Sequence, residues 1–146
     1  MRQFLQVSVG PYQFLLDAEG VHEILDLVTH PAEQTGHRDW RGRVLTAVNA
    51  RTLLGMQEQT LAPLHAGVVY SPGAEDAPLM LELDRVDRLL YAELHQLQRL
   101  PPLPEPVEQL FDCVLPDKGR QLYHLRRPLD ILAFLAEWST AGVPVY

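Results

Sequence analysis

The sequence predicts an all-β protein, built as a sandwich or as small barrels, and three observations predict it. Apolar and polar residues alternate along many short runs. Glycine and proline clusters separate those runs at close spacing. Regular strand–helix–strand alternation is missing, which disfavours a parallel nucleotide-binding sheet. The 146 residues suit one domain or two tightly fused lobes, long enough to bury a core.

Gln3 to Val9 opens the chain as a strand, with Leu5, Val7 and Val9 on one face and Gln6 and Ser8 on the other. Gly10-Pro11 punctuates it, and Tyr12 to Leu16 alternates again, so the two read as a hairpin. A third extended stretch runs from Val21 to Val28. Thr29 to Asp39 mixes proline, glycine, histidine and charges without a period and reads as a loop. Arg43 to Val48 is the next strand, with Val44, Thr46 and Val48 on one face. Asn49 then caps a helical turn over Ala50 to Leu54 that Gly55 stops. Met56 to His65 is a polar connection.

Ala66 to Tyr70 is a strand followed by a turn at Ser71-Pro72-Gly73. Leu79, Leu81 and Leu83 alternate with Met80 and Glu82, and Asp84 to Tyr91 continues as an extended or bent stretch. The prolines between Leu100 and Pro106 exclude helix interior and central strand, because proline has no N–H to donate. Phe111 to Leu115 and Gln121 to Leu125 flank the hairpin signal Pro116-Asp117-Lys118-Gly119. Ile131, Leu132, Leu135 and Trp138 fall at helical spacing, so Pro128 to Trp138 reads as an amphipathic C-terminal helix.

Composition narrows the function. Hydrophobic residues make up 47% and charged residues 21%, which fits a globular chain and not a disordered one. A net charge of -7 repels a phosphate backbone, and Arg126-Arg127 is the best local basic candidate against that, so no nucleic-acid partner is expected. The single cysteine, Cys113, permits no intramolecular disulfide and fits a reducing compartment. Met1-Arg2-Gln3-Phe4 lacks the apolar core of a signal peptide, and no apolar run approaches the ~20 residues of a membrane-spanning helix. A cytoplasmic protein without direct membrane insertion is expected.

Catalytic chemistry finds little support. The nucleophile-elbow, phosphate-loop, dinucleotide and zinc-protease motifs are missing from the sequence. His22, His30, His37, His65, His95 and His124 show no metal-ligand spacing, so surface or edge positions are expected, with no metal and no cofactor. Cys113 shares a strand face with Phe111 and Leu115 and reads as a small buried hydrophobe. Asp84 and Asp87, interleaved with Arg85 and Arg88, read as a solvated, self-paired surface in preference to an acid/base pair. No catalytic residue is therefore assigned.

The run from Asp39 through Trp40-Arg41-Gly42-Arg43-Val44-Leu45-Thr46-Ala47-Val48-Asn49-Ala50-Arg51-Thr52-Leu53-Leu54 to Gly55 resembles N-L-R-G-x-V-L-P-V-I-D-L-R-x-x-L-G. That pattern is the central signature of CheW-like domains, the coupling modules of bacterial chemotaxis. Val21-His22-Glu23-Ile24-Leu25 resembles the family's V-x-E-V-L segment, and Leu83 to Leu90 resembles its V-D-x-V-x-x-V-L stretch. The Phe4-Leu5 opening and the block from Leu115 to Leu132 also fall where the family places them. The chain departs from the pattern at Trp40 (usually Leu), Thr46 (Pro), Asn49 (Asp) and Ala50 (Leu).

The resemblance implies two packed, five-stranded, SH3-like barrels around a shared apolar seam, with short helices and the C-terminal helix. It implies a single domain over 1–146, with a sub-barrel boundary near 56–66. It further implies a non-catalytic adaptor that joins the cytoplasmic tip of a chemoreceptor to the regulatory domain of a chemotaxis histidine kinase. Glu23 and Arg41 match residues of the family's receptor-facing surface; Val21, Trp40 and Gly42 complete the expected partner-binding set. Gly42 permits a tight backbone, and Arg41 can make bidentate contacts that lysine cannot copy. An intramolecular pair of Arg41 with Glu23 or Asp39 is the competing role. A β-barrel module for other partners or for a small molecule, marked by a deep apolar pocket, and an enzyme, marked by convergent titratable groups in a cleft, are the alternatives.

Overall fold

The structure, a computed structural model, describes residues 1–27, 37–54, 64–71, 77–103 and 107–125. The expected helix over Pro128 to Trp138, the turn at Pro72-Gly73 and most of the 56–65 connection lie outside the described residues. Strands β1 (Arg2–Val9), β2 (Tyr12–Asp17), β8 (Arg85–Ala92), β9 (Gln98–Arg99), β10 (Phe111–Asp117) and β11 (Arg120–Leu125) form a six-stranded sheet in the order β8-β1-β2-β11-β10-β9. Strands β3 (Val21–Asp26), β4 (His37–Trp40), β5 (Arg43–Asn49), β6 (Ala66–Tyr70) and β7 (Leu79–Leu83) form a five-stranded sheet in the order β3-β6-β7-β5-β4. The helical turn α1 (Ala50–Leu53) follows β5. The fold is mainly β, as expected. The chain leaves the first sheet after β2 and returns at β8. Strands β5 and β6, on either side of residues 56–66, lie in one sheet, so that stretch does not coincide with a change of sheet.

Three apolar clusters follow from period-two alternation. Leu5, Val7, Val9, Phe14 and Leu16 of the first sheet meet Val48, Val68, Tyr70, Leu79, Leu81 and Leu83 of the second in a shared seam. The opposite face of the first sheet buries Phe4, Leu15, Ala92, Leu115 and Leu122. The opposite face of the second buries Leu45, Val69 and Met80. Each sheet thus covers both of its faces, which explains why β7 is buried at every position: Leu79, Leu81 and Leu83 face the seam, and Met80 faces away. Burying each such side chain stabilises the fold by about 1.5–3 kcal/mol.

The second sheet curls strongly. Strands β3 and β4 are its two ends, yet Arg41, beside β4, reaches Glu23 on β3 at 2.8 Å. The rings of His22 and Trp40 lie 6.1 Å apart. The free edges therefore meet through side chains.

Four expectations change. His37 to Asp39 is not loop but strand: it pairs with Thr46, Leu45 and Val44 of β5, and that pairing overrides its polar composition. On β5 only Val48 of the expected apolar face is buried; Val44 is exposed, and Leu45 on the other face fills the second sheet's own cluster. A β-bulge between Phe111 and Cys113 makes Asp112 an extra residue opposite His124, so Cys113 is half-buried and no longer in phase with Phe111. Asp84 and Asp87 keep the expected self-pairing in Arg85–Asp87, but both are half-buried and serve also as acceptors for distant residues. Asp84 receives Arg51 and, at 2.6 Å, the Gly10 N–H; Asp87 receives Ser8 Oγ and Arg85 Nε.

Candidate functional site

The segment that carries the sequence resemblance folds as a β-hairpin. Trp40 pairs with Arg43, leaving a two-residue loop of Arg41 (φ 48°) and Gly42 (φ 77°). Positive φ at both loop residues is the type I′ hairpin, whose twist matches that of the strands it joins. Lys118 (φ 50°) and Gly119 (φ 81°) repeat the arrangement between β10 and β11. The left-handed backbone of Arg41 therefore belongs to the turn type and is not itself a mark of function.

The hairpin is anchored below its tip. Arg38 on β4 reaches across β5 to Glu82 on β7, donating from Nε at 3.3 Å and Nη2 at 3.2 Å to one carboxylate oxygen, with both side chains buried. Asn49 accepts the Arg51 N–H at 2.9 Å, capping α1 as expected. The Arg51 guanidinium, itself buried, pairs with Asp84. Two of the stretches that carried the resemblance, the one containing Arg51 and the one containing Asp84, are thus joined directly.

At the tip, Arg41 Nη2 donates to Glu23 Oε1, and the guanidinium carbon stands 5.0 Å above the Trp40 ring. The Arg41 side chain is 68% exposed and that of Glu23 32%. Trp40 is half-buried and packs against the cluster of Leu45, Val69 and Met80, and its buried Nε1 has no acceptor among the described residues. The structure therefore brings Glu23, Trp40, Arg41 and Gly42 to one rim. It places Val21 elsewhere: a bulge between Val21 and Glu23 turns the Val21 side chain against the seam. His22, beside Trp40, joins the rim without any signal in the sequence beyond its position next to Glu23. Ile24 adds an exposed apolar side chain on the same strand.

A partly buried polar network sits on the first sheet. His124 Nδ1 bonds Asp112 at 2.6 Å and Nε2 bonds Asp17 at 3.0 Å. Arg2 donates to Asp17 at 2.6 Å, and the Asp17 N–H donates to the Tyr70 hydroxyl at 3.0 Å, tying β2 to β6 of the other sheet. Burial alone would lower the His124 pKa; hydrogen bonds to Asp112 and Asp17, with Cys113, outweigh it and hold it up to about 11. Burial alone would raise Asp17, but His124 and Arg2 keep it below the usual carboxylate range. The expectation of a surface or edge position fails for His124, which is 5% exposed. Its partner Asp17 is 107 positions away, beyond any local motif.

At one end of the seam, Tyr12, Phe14, Leu54, Leu103, Phe111 and Tyr123 line an apolar cavity of about 250 Å³. Drug-sized ligand sites run to about 300–1,000 Å³. No described helix is long and apolar enough to cross a membrane.

Fold and site together define a two-sheet β domain whose curled second sheet closes at a charged, aromatic rim. The chain belongs to the CheW-like domain family, whose model matches residues 3–131. The crystal structure of the scaffolding protein TtCheW from Thermoanaerobacter tengcongensis is similar in fold. It has a TM-score of 0.68 and 11% identity, over 86% of this chain and 88% of that one. No curated protein sequence matches.

Proposed function

We propose that this chain is a non-catalytic adaptor of bacterial chemosensory signalling, coupling the cytoplasmic tip of a chemoreceptor to the regulatory domain of a chemotaxis-type histidine kinase. The family match over residues 3–131 is the observation that carries the reading. On this reading the chain works in the cytoplasm, held at receptor arrays through its partners, and needs no cofactor.

Glu23, Trp40, Arg41 and Gly42 are the docking residues, and Val21 supports them from the seam. The rim geometry suits that role. The turn fixes the backbone, Arg38–Glu82 fixes the strand, and Glu23 with the Trp40 ring orients the guanidinium, so little ordering remains to be done on binding. The Arg41–Glu23 pair is the intramolecular contact foreseen as a competing role. An ion pair this exposed is worth about 0.2–1 kcal/mol, which leaves the guanidinium available to a partner carboxylate. The second reading, the same rim with different partners, draws on Trp40 standing at the tip in place of the family's leucine.

Affinity capture from the source cell with the purified chain tests the proposal. Recovery of a chemoreceptor and a histidine kinase supports it. Recovery of other signalling proteins in their place favours the second reading, and measured turnover of a substrate ends both.

A further inference from the structure

We propose that Asp112, Cys113 and His124 form a binding site for a divalent transition-metal ion, zinc(II), on the six-stranded sheet. One imidazole nitrogen, one thiolate sulfur and one carboxylate oxygen are a ligand set suited to that borderline-soft ion, and water would complete four-coordination. The three donor atoms all lie within 4.8 Å of one another.

The bulge is what assembles them. Along a regular strand Asp112 and Cys113 would point to opposite faces. Here both stand opposite the single residue His124: Asp112 reaches its ring at 2.6 Å, and the Cys113 sulfur lies within 4.8 Å of the other two donors. Tetrahedral zinc with bonds of about 2.0–2.3 Å needs donors about 3.4–3.8 Å apart. The present 2.6 Å between Asp112 and His124 must open by about 1 Å, and no two of the three donors start more than 4.8 Å apart. Asp112 can supply that movement, because its side chain is 47% exposed, and the same exposure gives an entry path.

The outer shell is also in place. Asp17 accepts from His124 Nε2 and leaves Nδ1 facing Asp112. A metal-bound histidine characteristically donates its other ring N–H to a carboxylate in this way. Zinc would displace the Nδ1 proton and the thiol proton, and its two positive charges would balance the thiolate and the Asp112 carboxylate. The rival arrangement has no metal, with the His124 ring held between the Asp112 and Asp17 carboxylates alone.

Cobalt(II) distinguishes them, because thiolate–cobalt bonds absorb by charge transfer and Cys113 is the sole cysteine of the chain. Cobalt(II) chloride is titrated anaerobically into the reduced, chelator-stripped full chain, with gel filtration of the product. The expected result is a charge-transfer band that saturates at one cobalt per monomeric chain and is bleached by zinc(II). Cys113→Ser should abolish the band. Asp112→Asn, checked for an unchanged far-UV circular dichroism spectrum, should weaken binding about 10-fold or more, and Asp17→Asn about 10–100-fold. No binding, binding without the band, a band that appears only in a cross-linked dimer, or a band unchanged in Asp112→Asn would each overturn the proposal.

Discussion

Glu82→Gln isolates the ion pair that anchors the docking hairpin. Arg38 and Glu82 are 7% and 8% exposed, and two guanidinium nitrogens converge on one carboxylate oxygen. Glutamine keeps the volume and a carbonyl acceptor but removes the carboxylate charge that the buried Arg38 guanidinium faces across β5. Removing one partner of a buried pair costs about 3–5 kcal/mol. The retained acceptor places this variant near the lower end, about 3 kcal/mol, against a typical domain stability of about 5–15 kcal/mol. With a urea slope of about 2 kcal/mol/M, the unfolding midpoint should fall by about 1.5 M. Replacing both partners, Arg38→Met with Glu82→Leu, should cost less than Glu82→Gln alone, because no charge is then left buried. Urea unfolding followed by far-UV circular dichroism reads all the variants. A Glu82→Gln cost under about 1 kcal/mol, or a double variant as destabilised as the sum of its singles, would refute the anchoring role.

Other outcomes follow from the same packing. Gly42→Ala and Gly119→Ala should each destabilise by about 1 kcal/mol in thermal or urea unfolding, since a built Cβ touches nothing within 4 Å and the cost is left-handed backbone alone. Gly67→Ala should cost about 1–3 kcal/mol, because its Cβ would stand 2.9 Å from Met80 Sδ and 3.2 Å from Leu27 Cδ2; an unfolding midpoint equal to wild type would contradict that packing. In metal-free protein, the His124 ring should stay protonated well above its ordinary value of 6.5, as read by ring-carbon NMR. Because its folded pKa is raised, its contribution is full below pH 6.5 and is lost as pH climbs towards 11. His124→Gln should flatten that part of the stability profile, and an unchanged slope would show that other groups carry it.

Period-two alternation and turn residues were enough to read most strands, because those signals are local. Gln3 to Val9 and Leu79 to Leu83 are strands with the apolar faces their alternation gives, although each also buries its other face, Gln6, Ser8 and Glu82 included, and Asn49 caps its turn. What escaped depends on partners distant in sequence. His37 to Asp39 becomes strand only by pairing with β5, although Arg41-Gly42 between Trp40 and Arg43 was a hairpin signal open to a closer reading. The bulge at Asp112 shifts Cys113 out of the face that alternation assigns, and no local residue announces it. Of the five residues expected to bind a partner, Glu23 and Arg41 through the family resemblance and Trp40 and Gly42 beside them share one rim, whereas Val21 turns to the seam because a second bulge resets the alternation of β3. The Asp17–His124–Asp112 network joins strands of the first sheet from both ends of the chain and has no sequence signature at all.

Titration calorimetry of the purified chain against a soluble receptor-tip fragment, with Arg41→Ala beside wild type at two ionic strengths, bears most directly on docking through the hairpin rim. An interface arginine of this kind is expected to carry about 2 kcal/mol or more, so Arg41→Ala should weaken binding about 30-fold while its unfolding curve stays within about 1 kcal/mol of wild type. Wild-type affinity should fall as salt rises. Binding that is equal in the two proteins and flat with ionic strength, or an affinity loss matched by an equal loss of stability, would contradict docking through Arg41.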